Sequence, residues 1–305
     1  MNLNKIKLRK LLFTQDKKYT IKWINYEFCS SCNLRCKWCS LDHKKKPMFI
    51  TNEILTSSLD NIIQDEGFDI ERIDLHNAGE TLLHPKLSEL LGILASKKKE
   101  FKNKPTIHLL TNGTLLNEEK TKIILASNAL DELRVSIDGG TRQYYNEIRI
   151  GADWDKVKER ISNFITFNKK KIKIGVICMV PQEKPLTTDW MERDFKELFS
   201  KMDSVDLRHP HNWDGAKDLN LFKSSDWKEE NKLCKFLLKN LVILPNGDVT
   251  VCCADLNSRG VVGNLRNKTL TEIFFSESRL KMIDLYNKGR KSEIELCKNC
   301  TGYYE

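Results

Sequence analysis

The chain has 305 residues, 30% charged and 40% hydrophobic, and a formal charge of +9 from 51 Lys and Arg against 42 Asp and Glu. That balance belongs to a globular protein of one large domain or two ordinary ones. No run of 18 apolar residues occurs and the opening MNLNKIKLRK has no apolar h-region, so the sequence predicts no membrane span, no secretory signal and a cytoplasmic location. The lysine runs 44–46, 97–99 and 169–171 read as solvated helix ends or loops. Without an aromatic and basic reader motif beside them, no nucleic-acid partner is expected.

After an N-terminal extension (1–19), strand-like and helix-like segments alternate from 20 to 210. Strands are predicted at 20–28 (TIKWINYEF), 69–76 (DIERIDLH), 105–111 (PTIHLLT), 131–138 (DELRVSID), 172–180 (IKIGVICMV) and 203–209 (DSVDLRH). Between them, Ile54, Leu55, Leu59, Ile62 and Ile63 share one helical face behind an N-cap at Thr51. Leu87, Leu90, Leu91 and Leu94 mark a second helix, and a weaker one covers 116–126. Val157, Ile161, Phe164 and Ile165 mark the next, and Phe195, Leu198, Phe199 and Met202 the last of the series. Such alternation implies a parallel sheet with right-handed crossovers. Six strands are two short of a closed eight-stranded barrel, and the pattern alone allows a partial barrel or a doubly wound sheet. From about 211 the composition changes: 240–253 (NLVILPNGDVTVCC) reads as a hairpin around Pro-Asn-Gly-Asp, and one helix is expected at roughly 269–288.

Nine of the ten cysteines fall into two groups, a distribution that points to metal rather than disulfides. Cys32, Cys36 and Cys39 have the spacing C-x-x-x-C-x-x-C directly after the first strand. Three thiolates can hold three irons of a four-iron four-sulfur cluster and leave the fourth open; with Cys29 as a fourth ligand, the same residues also fit a zinc knuckle. Cys234, Cys252, Cys297 and Cys300 make a second set of four, which closes a site and suits a structural or electron-transferring metal. Taken alone, these four also fit a zinc ribbon. Cys178 reads as a small core hydrophobe and Cys253 as a spare.

The triad with Trp38 before its last cysteine resembles the signature of the radical SAM superfamily. The resemblance continues at strand ends: Asn77-Ala78-Gly79-Glu80-Thr81, Leu110-Thr111-Asn112-Gly113-Thr114, and Ser136-Ile137-Asp138-Gly139 with Arg149 shortly after. It covers about 20–210, and Ala78 and Thr81 depart from the family's Gly-Gly-Glu-Pro. The resemblance implies an α/β fold, a partial (β/α)6 barrel of parallel strands, and reductive cleavage of S-adenosylmethionine to a 5′-deoxyadenosyl radical that abstracts a substrate hydrogen. It implies that Gly79 and Glu80 hold the methionine amino group, with Asn112 on the third-strand turn. Ser136 and Asp138 lie where the family meets ribose or carboxylate, Arg149 meets the carboxylate, and the strand at 174–179 offers backbone to adenine. Under it, Cys29 is a neighbour of the cluster rather than a ligand.

The second cysteine group, with Cys252-Cys253 and Gly263-Asn264-Leu265, resembles the SPASM and Twitch auxiliary-cluster regions of that superfamily. With five residues left after Cys300, the one-cluster Twitch form fits better. The expectation is a small cysteine-rich auxiliary-cluster domain (211–305) with a hairpin and a helix, and two 4Fe-4S clusters in all. His209-Pro210-His211-Asn212-Trp213-Asp214-Gly215, at the last strand end, offers His209 and His211 as catalytic groups for a polar substrate, or forms a hydrogen-bonded linker. His76 is a further pocket candidate. The first strand begins by about residue 20, leaving no room for a peptide-recognition domain, so the substrate is expected to be small and polar, sugar- or cyclitol-like, and oxidised or epimerised. The alternatives are modification of a ribosomally made peptide and, more remotely, a zinc-binding nucleic-acid protein. An external one-electron donor, flavodoxin or ferredoxin, is implied.

Overall fold

The computed structural model describes residues 18–213 and 234–300. Positions 1–17 of the expected extension, and Asp214 and Gly215, lie outside the described residues. Six strands follow in chain order: β1 (Tyr19–Tyr26), β2 (Phe68–Leu75), β3 (Thr106–Thr111), β4 (Glu132–Ser136), β5 (Lys173–Met179) and β6 (Ser204–Arg208). Each pairs in parallel with its sequence neighbours. A doubly wound sheet reverses its strand order at a switch point. This order never reverses, which is the winding of a partial barrel.

The crossovers carry α1 (Asn52–Gln64), α2 (Leu87–Lys97), α3 (Glu118–Ser127), α4 (Arg142–Ile148), α5 (Trp154–Asn168) and α6 (Arg193–Phe199). Thr51, Asn117, Thr141 and Asp153 each accept a first-turn N–H at a helix start. Alternate strand residues such as Ile24, Ile73, Leu109, Val135 and Val176 join Leu59, Leu90, Ile161 and Phe164 of the helices in one core. The other strand face is therefore the inner face of the barrel. Helix α4 was not anticipated, since it buries only Tyr145 and Ile148.

The second half adds α7 (Lys235–Lys239), β7 (Asn240–Ile243), β8 (Asp248–Thr250), β9 (Val261–Asn264), α8 (Leu270–Phe274) and α9 (Glu277–Asn287). The hairpin turns at Gly247, whose φ of +85° favours glycine. β7 pairs in parallel with β1, from Trp23 opposite Asn240 to Tyr26 opposite Ile243. Among the described residues the strands form one nine-stranded sheet in the order β6-β5-β4-β3-β2-β1-β7-β8-β9. The cysteine-rich region thus grows from the barrel's own edge. The single helix expected at 269–288 is instead two, because Ser276 accepts the Arg279 N–H and starts a new helix. Among the described residues no helix is long and apolar enough to cross a membrane.

Arg279 holds this region together. Fully buried, it donates from Nη1 to the Phe274 carbonyl at 2.7 Å and from Nη2 to Leu237 and Leu238 carbonyls at 2.5 and 3.1 Å. It thereby pins α7, which begins next to Cys234, against α8 and α9. Arg279→Met keeps the apolar stem but strands these carbonyls, each a cost of roughly 1–3 kcal/mol. The expected loss is about 3 kcal/mol, read by thermal unfolding; an unchanged midpoint contradicts this role.

Candidate active site

The 29–50 loop leaves β1 and closes on itself. Ser30 N–H donates to the Met48 carbonyl at 3.0 Å, and Ile50 N–H donates to Phe28 at 3.0 Å. Within it, the Cys39 N–H bonds the Cys36 carbonyl at 3.1 Å. Arg35 and Lys37 N–H groups bond the carbonyls of Ile150 and Ile148, at 2.9 and 3.0 Å, so the triad is tied to the end of α4. Cys29 is buried and its thiol bonds the Ser31 carbonyl at 3.3 Å, turned to its own loop. Gly79 explains how the second strand's motif meets this loop: a Cβ there would lie 1.9 Å from the Cys29 carbonyl oxygen and 2.5 Å from that of Ser31. The fit demands close backbone approach, which only glycine allows.

Glu80 is buried and holds the neighbouring strand ends in register. Its Oε1 accepts from the Thr111 hydroxyl at 2.7 Å and the Leu82 N–H at 3.0 Å, and its Oε2 from the Asn112 N–H at 2.8 Å. Burial raises its carboxyl, and these bonds oppose the rise. Asn112 in turn donates from Nδ2 to Asn33 Oδ1 at 3.0 Å and to the Cys32 thiol at 3.7 Å. Ser136, Asp138 and Arg149 also come together. Arg149 is buried at the end of α4: its Nε lies 2.7 Å from Asp138 Oδ2, Nη2 bonds the Ser136 hydroxyl, and Nη1 lies 3.8 Å from Cys36 Sγ. Burial opposes its charge, and Asp138 and Cys36 outweigh burial and hold it firmly protonated. Asp138 also accepts the Trp38 indole N–H at 3.0 Å. At the end of β5 the Ile177 and Met179 carbonyls already accept the N–H groups of Ile137 and Gly139.

On the inner face the charges are paired off. Arg72 meets Asp74 at 2.9 Å, Arg134 meets Glu132 at 2.8 Å, and His108 lies 3.2 Å from Glu132 and 3.9 Å from Asp74. His76 is half-buried beside them, with Nδ1 unpartnered, and desolvation of the ring lowers its pKa. Glu27, just past β1, belongs to no sequence motif; its position in step with Trp23 and Asn25 on β1 is the signal the sequence carries. Its Oε2 accepts from Asn77 at 2.9 Å and from the Ala78 N–H at 3.1 Å. Burial pushes its carboxyl up to about 7. A group so placed can give or take a proton near neutrality. Because the folded value exceeds the ordinary one, Glu27 stabilises the fold less as pH rises from about 4.5 through about 7. Glu27→Gln is therefore expected to unfold at a higher temperature than the parent at pH 8 and at the same temperature near pH 4.5. Equal midpoints at both values contradict the shift.

The second set of thiols is also gathered. Burial raises Cys297 most, with Cys252, Cys234 and Cys300 as the next causes, and Cys234 feels Cys252 in the same way. Lys291 opposes both and donates to the Cys300 carbonyl at 2.8 Å. Tyr286, half-buried, faces Cys234, Cys297 and Cys300. Among the described residues no three His, Cys, Asp or Glu side chains close to the spacing of a single ion. The fit to iron–sulfur groups therefore rests on the chemistry of the donors. Burial pushes the Cys32 thiol up to about 12, so a thiolate there needs a cation, and two N–H donors, Asn112 and Arg149, aim at Cys32 and Cys36. Donors around the sulfurs are what an anionic cluster requires.

The histidines at the end of β6 are engaged with backbone. His209 Nδ1 lies 3.3 Å from the Val180 carbonyl, and His211 Nδ1 accepts the Trp213 N–H at 3.0 Å. Burial and Arg208 lower His211 to about 4, so it is neutral at pH 7. Asn212 reaches the Asn299 carbonyl at 2.8 Å, and the Trp213 indole bonds the Trp38 carbonyl. Trp213 packs with Leu41, Ala78 and Leu256 beside Cys32 and Cys39. This segment joins the two cysteine-bearing regions.

A family model described as the radical SAM superfamily matches residues 26–187, just over half of the chain, and one described as an iron–sulfur cluster-binding domain (SPASM) matches 234–301. A GTP 3′,8-cyclase of Chlorobaculum tepidum is 23% identical over 177 residues, 58% of this chain and 51% of the relative. The chain thus spans about half the length of that curated relative. An S-adenosyl-L-methionine-dependent 2-deoxy-scyllo-inosamine dehydrogenase of Niallia circulans is 20% identical over 289 residues, 93% of this chain and 94% of the relative. Among solved structures, native anSMEcpe with bound AdoMet and Cp18Cys peptide superposes with a TM-score of 0.64 at 20% identity, over 92% of this chain and 89% of the other.

Proposed function

Because this chain belongs to the radical SAM superfamily and carries an iron–sulfur SPASM domain, we propose that it oxidises or epimerises a small, polar, hydroxyl-rich substrate of sugar or cyclitol type. Loaded with its cofactors, such a site supplies a 5′-deoxyadenosyl radical that takes a hydrogen atom from the substrate. Cys32, Cys36 and Cys39 hold one 4Fe-4S cluster and leave an iron open for S-adenosylmethionine. Gly79 lets the second strand end approach the cysteine loop, and Glu80 and Asn112 fix the strand ends where the methionine amino group binds. Ser136, Asp138 and Arg149 form the charged wall on the opposite side, where the carboxylate and ribose bind. Cys234, Cys252, Cys297 and Cys300 close a second 4Fe-4S site that can accept an electron from an oxidised substrate. His209 and His211 stand at the substrate side; His211, neutral at pH 7, acts there as a hydrogen-bonding group rather than an acid. The electron that starts the cycle comes from a flavodoxin or ferredoxin.

The observation that carries the substrate class is the inner face. Arg72, Asp74, Glu132 and Arg134 neutralise one another, which leaves hydrogen-bonding capacity such as His76 Nδ1 rather than net charge. Such a lining suits neutral hydroxyls better than an anion. The near full-length likeness to a cyclitol-type dehydrogenase points the same way. A peptide substrate is the second reading, favoured by the likeness to a structure with a bound peptide. The test is to incubate the reconstituted protein, S-adenosylmethionine and dithionite with aminocyclitols and sugars on one side and cysteine- or serine-containing peptides on the other. A keto or epimerised small molecule formed in proportion to 5′-deoxyadenosine supports the proposal; turnover with peptides only overturns it.

A further inference from the structure

The lysine run 44–46 is more than a solvated loop. It opens a strap, Lys44–Lys45–Lys46–Pro47–Met48–Phe49, in which every residue is exposed, Met48 to 39% and Phe49 to 40%. Both ends are anchored. At one end Lys45 Nζ donates to the Asn257 carbonyl at 2.7 Å, and Asn257 Oδ1 accepts the Asp42 N–H at 3.0 Å while its Nδ2 bonds the Ser40 carbonyl at 2.8 Å. Asn257 stands on the loop that follows Cys252 and Cys253. At the other end the Met48 N–H donates to Ser30 Oγ at 2.8 Å, and Phe49 bridges to Cys29, three residues before Cys32. The strap thus runs between the loops that bear the two sets of thiols.

Its surface chemistry is specific. Asp42 is the one acid between 40 and 50, and its carboxylate already accepts the Lys44 N–H at 3.0 Å. Among the described residues, Lys44 and Lys46 have no ionic partner. Three cations beside two exposed apolar side chains, on a strap anchored at both ends, form a small mixed patch. Electron-transfer encounters use small patches of this kind, with opposite charge steering the partner and a little apolar surface seating it.

We propose that the 44–49 strap is the docking surface for an acidic one-electron carrier protein that reduces the cluster held by Cys32, Cys36 and Cys39. This rests on the radical SAM reading above. In the step itself one electron leaves the carrier's reduced flavin and enters the oxidised cluster; no bond forms or breaks.

The test compares two reductants on the anaerobically reconstituted protein, with reduced flavodoxin in one arm and dithionite in the other, following bleaching of the cluster absorbance by stopped flow. The variants are Lys44→Glu/Lys46→Glu and Met48→Ser/Phe49→Ser. For the parent, the flavodoxin rate is expected to fall steeply with added salt. For the charge-reversed variant at low salt it is expected to drop at least tenfold, and for the apolar variant severalfold, with iron content and the dithionite rate unchanged. An unchanged flavodoxin rate overturns the proposal. So does equal slowing with both reductants, which marks a structural defect, or a raised KM for substrate under dithionite, which assigns the strap to substrate binding. Failure of the parent to cleave S-adenosylmethionine with dithionite is a different result: it counts against the proposed function, while the docking surface is still decided by the two cluster reduction rates.

Discussion

Replacing Cys32, Cys36 and Cys39 together by alanine is expected to abolish 5′-deoxyadenosine formation and to remove about half of the iron. The three thiols share one loop, and besides the contacts to Cys32 and Cys36 sulfur that loop is held by backbone bonds to Met48, Ile148 and Ile150. Its conformation therefore has support that alanine leaves in place. The hydrophobic core of the barrel does not include these cysteines. Global unfolding temperature should then change little relative to the parent stripped of iron, and the loss of chemistry will report the cluster and not the fold. A triple variant that still forms deoxyadenosine contradicts the assignment. So does one that loses all its iron, which would place the second group's metal under the control of the first.

Cys297→Ala/Cys300→Ala separates the two sites from the other end. About half of the iron is again expected to be lost, but dithionite-driven formation of 5′-deoxyadenosine should persist. Formation of an oxidised product should fail, because a substrate radical left by hydrogen abstraction then has no acceptor for its second electron. The thiols are gathered around Lys291 and Tyr286, and Cys297 and Cys300 follow the last described helical turn, so their loss leaves β7, β8 and Arg279 untouched. Full product formation by this variant would remove the electron-accepting role of the second site. Loss of deoxyadenosine formation along with product would show that the two sites are not independent.

The six barrel strands were legible because each is a short β-branched run between amphipathic helices, and the N-cap at Thr51 and the glycine turn at Gly247 are local signals. What escaped was set by long-range pairing. Nothing local in Asn240–Ile243 states that it will pair with β1, so the way the small cysteine-rich domain joins the barrel sheet could not be read. The break at Ser276 was hidden because the apolar residues on either side continue a helical pattern across it. In the site, the cysteine spacings and the strand-end motifs could be read directly, and Glu80, Asn112, Ser136, Asp138 and Arg149 do lie around the triad. Their bonds to one another could not be read. Arg149 in particular is a buried partner of Asp138, Ser136 and Cys36, an arrangement visible only once α4 is folded against the cysteine loop. Glu27 belongs to no motif and became a candidate only through what it touches, and the contact of Trp213 with the Trp38 carbonyl could not be read from the segment that contains it. The lysine run looked like solvent-facing charge, and only the anchoring of its two ends gives it a direction.

The most direct measurement is of metal and cofactor cleavage on the same sample. The protein is reconstituted anaerobically with iron and sulfide, its iron and zinc per chain are determined, and 5′-deoxyadenosine is quantified after addition of S-adenosylmethionine and dithionite. Two four-iron clusters predict about eight irons per chain, no zinc above trace, and deoxyadenosine that depends on both additions. Stoichiometric zinc in place of iron, or full iron with no deoxyadenosine, would contradict the assignment of Cys32, Cys36 and Cys39 to a cluster that cleaves S-adenosylmethionine.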